Sequence, residues 1–202
     1  MDSKQAINPR VAVVTGGAMG IGAEVSTRLA HNGLTVLVAD INEAAARKMA
    51  SQLCDKGWAA APLLMDAGRP ESIAAAFSQV EKEYGRCDVL VNCAGIAKVF
   101  PFLEFPLENF AATMNVNVTG TFLCSQHAAR LMVKNSWGRI VNIASVAGMR
   151  AVGTGRTAYG TSKGAVISLT RQMAVELAEF GITANAVAPS LIFLCIAALQ
   201  AF

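Results

Sequence analysis

The chain has little charge for its size, 15% of its 202 residues against 53% hydrophobic ones. Its lysines and arginines form no run and no stripe interleaved with aromatics, so nothing in it tracks a phosphate backbone, and nucleic acid is not an expected partner. The five cysteines, Cys54, Cys87, Cys93, Cys124 and Cys195, include no C-x-x-C pair, and His31 and His127 lie at no metal-ligand spacing. Each cysteine sits in an apolar stretch, which points to reduced, buried thiols in a cytoplasmic protein and to no bound metal. Met1 to Arg10 lacks the apolar centre of a signal peptide. The longest apolar run, Leu191 to Leu199, is less than half of the roughly 20 residues that a bilayer demands, so no membrane span is expected. Repeats and low-complexity linkers are absent as well.

What remains is an alternation. Short runs rich in Val, Ile and Leu (Val11 to Thr15, Thr35 to Ala39, Ala59 to Met65, Val89 to Asn92, Ile140 to Ile143, Thr183 to Ala188) predict strands. Ile21 to Asn32, Glu43 to Lys56, Glu71 to Tyr84, Leu107 to Lys134 and Tyr159 to Phe180 predict helices between them, with Gly33, Gly57, Gly85 and Gly181 placed to cap helix C-termini. Strands apolar on both faces and joined by helices predict an α/β fold: a doubly wound parallel sheet between two helical layers, Rossmann-like, with its ligand crevice at the carboxyl ends of the strands.

Chemistry-bearing residues fall at those ends. The loop Thr15-Gly16-Gly17-Ala18-Met19-Gly20-Ile21-Gly22 keeps side chains off the backbone where the first helix presents free N–H groups and the positive end of its dipole, an arrangement that suits a pyrophosphate. Asp40 ends the second strand about 20 residues on, where a carboxylate accepts hydrogen bonds from an adenosine ribose and repels an added phosphate. NAD is therefore expected rather than NADP; the same aspartate could instead only cap the helix that starts near Asn42. Tyr159 and Lys163 share one face at the start of a helix, where an ammonium stabilises a phenolate and fits the tyrosine for proton exchange with an alcohol. Ser145, just after a strand, puts a hydroxyl at the mouth of the same crevice.

Taken together, Thr15-Gly16 with Gly20 and Gly22, Asp66, Asn92 with Ala94-Gly95, Asn117 before Val118-Thr119-Gly120, Ser145, Tyr159 with Lys163, and Asn185 to Pro189 resemble the short-chain dehydrogenase/reductase family from about Val11 to Pro189. The resemblance implies hydride transfer between a nicotinamide dinucleotide and a secondary alcohol or ketone. Tyr159 would be the general acid and base, Ser145 would polarise the substrate oxygen, Lys163 would act on the tyrosine and hold the nicotinamide ribose, and Asn117 would bind a water in a proton path. It also implies a cofactor groove formed by Gly16, Ala18, Met19, Gly20, Ile21, Gly22, Asp40, Ile41, Asp66, Ala67, Asn92, Ala94, Gly95, Tyr159, Lys163 and Pro189.

The expected substrate is a small sugar, polyol or hydroxyketone, with a 3-oxoacyl thioester second; Lys98, Arg150 and Arg156 stand where the pocket walls should be. The two long helices imply a homodimer, and a tetramer where the family's C-terminal elements are present. The family continues past Pro189 with a substrate lid and a last strand, whereas here the apolar segment 190–202 follows. The expectation is one dinucleotide-binding and catalytic domain over 1–202, with that tail packed on the sheet in place of the lid and last strand. A chain so built either turns over its substrate or binds dinucleotide with little turnover.

Overall fold

A computed structural model describes residues 9–190. Six parallel strands, β1 (Val11–Thr15), β2 (Thr35–Asp40), β3 (Ala60–Leu64), β4 (Val89–Asn92), β5 (Gly138–Ile143) and β6 (Ile182–Val187), form one sheet in the order β3-β2-β1-β4-β5-β6. The order reverses between β1 and β4, and a crevice opens there because the connections leave the two strands in opposite directions. Helices α1 (Gly20–His31), α2 (Glu43–Cys54), α3 (Pro70–Tyr84), α4 (Leu107–Met114), α5 (Thr121–Val133) and α6 (Thr157–Glu176) cover the sheet.

Side-chain alternation on the strands feeds two cores. Ala12, Val14, Val36 and Val38 pack with Ala30, Ala46, Ala50 and Leu53 of α1 and α2. Val11, Val13, Leu37 and Leu90 point the other way, onto Ile73, Phe77 and Val80 of α3 and Leu131 and Met132 of α5. Burial on both faces is why these strands are continuous apolar runs. On β6, Ile182 and Ala184 are buried while Thr183, Asn185 and Val187 are exposed, and no helix among the described residues covers that side.

The four predicted capping glycines all take positive φ, between 67° and 84°. The helix expected over 107–134 differs from the prediction: α4 and α5 are separated by a π-helical turn, Asn115–Gly120. Such turns insert a residue into the helical ladder and occur often at functional sites. Cys54 also departs from expectation, being exposed at the end of α2 with its Sγ 3.3 Å from the Ala60 carbonyl, while Cys87 and Cys124 are buried. Cys195 and the expected tail lie outside the described residues. Among the described residues no helix is long and apolar enough to cross a membrane.

Candidate active site

The glycine loop is tied to both neighbouring strands. The Thr15 Oγ1 accepts hydrogen bonds from Cys93 N and Ala94 N, both at 3.1 Å, which fastens the end of β1 to the loop after β4. Gly17 N donates to the Ala39 carbonyl at 3.0 Å, and Ala18 N donates to Asp40 Oδ2 at 3.2 Å, fastening the loop to β2. A Cβ on Gly22 would collide with the Gly16 carbonyl oxygen, so the helix starts this close to the strand only because residue 22 has no side chain. Met19 precedes α1 without a capping side chain and is 63% exposed, and no acidic residue stands in the helix's first turn. The N–H groups of that turn have no intrahelical acceptor. This cradle fits the anionic middle of a dinucleotide.

Asp40 is buried, 7% exposed, and its second oxygen, Oδ1, accepts Asn42 N at 3.0 Å. Asn42 itself caps α2 by accepting Ala45 N, so Asp40 is not the helix cap. It instead organises the β1 loop and leaves carboxylate lone pairs at the crevice rim beside the exposed Ile41. Asp66, beyond the end of β3, turns Oδ1 onto Gly68 N at 2.8 Å and stands with Ala67 at the same edge.

The register puts Thr15 opposite Asn92 and Asn92 opposite Asn142, a polar row across the carboxyl ends of β1, β4 and β5. Asn92 Nδ2 donates to Asn142 Oδ1 at 2.8 Å and to Ser125 Oγ of α5 at 3.0 Å, and Asn142 Nδ2 donates to Thr170 Oγ1 of α6 at 2.9 Å. Asn92 thus joins the central strands, and the row extends to both helices; Asn92 Oδ1 is buried and has no hydrogen-bond partner among the described residues. Sequence reasoning missed Asn142, Ser125 and Thr170. The signal for Asn142 was a polar residue set inside the apolar run of β5.

Lys163 is buried at 6% exposure, with Nζ 2.5 Å from the Ile143 carbonyl oxygen and 5.7 Å from the centre of the Tyr159 ring. Burial pushes its pKa down to about 8. Burial likewise pushes the Cys93 thiol up, to about 12, against the opposing pull of the Lys163 charge. Gly148 packs directly on α6: a Cβ there would lie 2.5 Å from the Lys163 backbone carbon. Ser145 is buried at the end of β5 and accepts Ala147 N at 3.1 Å, while Val146 N donates to the Pro189 carbonyl, fastening the segment after β6 to the site.

Asn117 occupies the π-helical turn. Its side chain brackets Ile96, accepting Ile96 N at 2.8 Å and donating to Ile96 O at 2.9 Å, and also donates to Ser162 Oγ at 3.0 Å. That side chain therefore holds the Asn92 to Ile96 loop against α6 rather than reaching for solvent. Its backbone carbonyl accepts Thr121 Oγ1 at 2.8 Å.

Two cavities meet at Ser145 and Tyr159. One, of about 280 Å³, runs past Ile21, Cys93, Gly95, Lys163 and Pro189 and continues the glycine cradle. The other, of about 400 Å³, leads outward between Val152, Arg150 and Arg156. Lys98 is exposed and lines neither cavity. The first suits the reacting end of a dinucleotide and the second a small molecule presented to it.

Known proteins share this fold. The chain is 41% identical over 180 residues to the uncharacterized oxidoreductase YxjF of Bacillus subtilis strain 168, covering 89% of this chain and 70% of that protein. Among solved structures, an NAD+-bound xylitol dehydrogenase superposes with a TM-score of 0.87 at 35% identity, over 92% of this chain and 72% of that one. A gluconate 5-dehydrogenase from Burkholderia cenocepacia J2315, in complex with NADP and tartrate, superposes with a TM-score of 0.86 at 35% identity, over 91% and 72%. The family model for short chain dehydrogenases matches residues 10–194, so the glycine cradle, the polar row and the Ser145, Tyr159 and Lys163 cluster all lie within a chain that belongs to the short-chain dehydrogenase family of oxidoreductases.

Proposed function

We propose that this oxidoreductase uses Tyr159, Lys163 and Ser145 to interconvert a secondary alcohol and a ketone with NAD(H) as its partner. The observation that carries the reading is that Ser145 and Tyr159 line both the groove that continues the glycine cradle and a second, outward cavity, with Lys163 in the groove beside them. When bound, the dinucleotide supplies the acceptor or donor of the hydride.

The chain's own residues manage the proton and the oxygen. Ser145 Oγ donates to the substrate oxygen and fixes it beside the Tyr159 hydroxyl. In oxidation the tyrosine oxygen takes the alcohol proton as the carbonyl forms; in reduction it returns that proton. The Lys163 ammonium lies on the phenol's side of α6 and attracts the charge that develops there. The Asn117 carbonyl offers a water position from which a proton can pass toward Lys163. Gly16 to Gly22, Asp40, Ile41, Asp66, Ala67, Asn92, Ala94, Gly95 and Pro189 line the cofactor groove in this reading, and Asp40 favours NAD over NADP by meeting an added phosphate with like charge. The substrate class is a small sugar, polyol or hydroxyketone, and the working assembly is a homodimer.

NADH fluorescence and absorbance-followed turnover test the reading together. Tyr159→Phe is expected to leave NADH binding unchanged and to lower kcat by roughly 10²- to 10⁴-fold. Wild-type protein that binds neither dinucleotide would sink the assignment.

A further inference from the structure

The outward cavity has charge of one sign only. Its described lining contains Arg150 and Arg156 and no carboxylate, and the adjoining groove adds Lys163, again with no acidic neighbour. Among the described residues neither arginine has an ion-pair partner, and neither side chain makes a hydrogen bond. Elsewhere Arg28, Arg47, Arg69 and Arg86 each meet a carboxylate, and Arg10 and Arg139 lie over the Trp137 ring, whereas Arg150 and Arg156 are exposed on one cavity wall. The two guanidinium groups come from different places, Arg150 from the loop after β5 and Arg156 from the residue preceding α6, yet they line the same cavity as Tyr159. Arg156 also borders a further cavity of about 480 Å³ beside Phe102.

We propose that the substrate carries an anionic group, a carboxylate or a phosphate ester, bound by Arg150 and Arg156 while its hydroxyl or keto carbon faces Ser145 and Tyr159. This deepens the alcohol-ketone reading of the site and rests on it. A guanidinium offers a planar fork of donors that matches either anion, and two of them leave a neutral polyol with charged walls it cannot neutralise. Lysine alone would supply charge without the fork. The cavity's volume of about 400 Å³ admits a small metabolite, within the roughly 300–1,000 Å³ of ligand pockets.

A matched series on one carbon skeleton tests this: glucitol, gluconate and glucitol 6-phosphate, added to the protein saturated with NADH. The first readout is the change in bound-NADH fluorescence. Either anion is expected to perturb it at a concentration at least about tenfold below that of glucitol, and the two anions separate carboxylate from phosphate recognition. In the double variant Arg150→Gln, Arg156→Gln the difference should vanish with NADH binding intact, and in Arg150→Lys, Arg156→Lys part of it should return. Anions that bind no better than glucitol, or leave the complex unperturbed, overturn the proposal, as does a preference for anions that survives the glutamine substitutions. Failure of NADH itself to bind would instead condemn the reading of the site beneath it.

Discussion

Lys163 shows the conflict between stability and chemistry at a single residue. An unfolded lysine keeps its proton to about pH 10.4, whereas this one is held near 8 by burial. Between those values the unfolded chain binds more protons than the folded one, so stability rises with pH across that window and is reduced at neutral pH by the cost of burying the charge. The bond to the Ile143 carbonyl offsets part of that cost. Lys163→Met should therefore raise the stability of the protein free of dinucleotide at pH 7, on the order of 1–3 kcal/mol by urea unfolding, while turnover falls by orders of magnitude. A variant destabilised to the extent of an ordinary core lesion would show that the ammonium is held for structure. Asp40 permits a similarly local test. It accepts Ala18 N on one oxygen and Asn42 N on the other, so Asp40→Asn removes the charge and keeps an acceptor oxygen for the Ala18 bond at the expense of the Asn42 one. The ratio of NAD to NADP affinity, measured by titration, should fall by about tenfold or more; an unchanged ratio would locate cofactor choice elsewhere.

At the scale of elements, the strands and most helix limits were legible because each signal was local. Apolar runs without alternation mark strands covered on both faces, and Gly33, Gly57, Gly85 and Gly181 mark four helix ends where the chain turns through positive φ, while after α5 the same turn is taken by Ser136. The glycine loop, Ser145, Tyr159 and Lys163 were legible for the same reason, since each lies at a strand end or within one helical turn of its partner. The π-helical turn was not. Asn115 to Gly120 contains no proline and its one glycine stands at the far end, and what holds the ladder open there is tertiary: Asn117 committed to both backbone groups of Ile96 and to Ser162 on α6. Within the polar row, the Asn142 partner of Asn92 was hidden likewise, because register between strands distant in sequence decides which side chains meet. If the turn exists to seat the Asn92 to Ile96 loop, Asn117→Leu will leave that loop's backbone unpaired. Loss of amide-exchange protection confined to Ile96 and the segment around it is expected, with NADH affinity lowered; uniform loss across the sheet would mean a general packing defect instead.

Among the described residues, the apolar groove along α5 and α6 is a surface that the molecule's own packing does not explain. Helices α5 and α6 bound a groove of about 360 Å³ lined by Phe122, Ala129, Val133, Met173 and Leu177, with Arg130 and Glu176 at its rim. Phe122 is 42% exposed and Val133 37%, although the sheet beneath α5 is already covered. A groove between two helices accepts the same helices from a second copy turned about a two-fold axis, which makes the contact self-complementary and closes it at two subunits. Light scattering at micromolar concentration should then give twice the monomer mass. Phe122→Glu with Met173→Glu should return the monomer, because two carboxylates per subunit would be buried without partners. The same variant should unfold at a lower temperature that no longer rises with protein concentration, as expected when subunit association contributes to stability. A wild-type monomer, or a dimer indifferent to both glutamates, would place the contact on another face. Turnover measured on the monomeric variant then shows whether association acts on the site, since α6 carries Tyr159 and Lys163 at its first turns and the groove residues Met173 and Leu177 at and just beyond its other end.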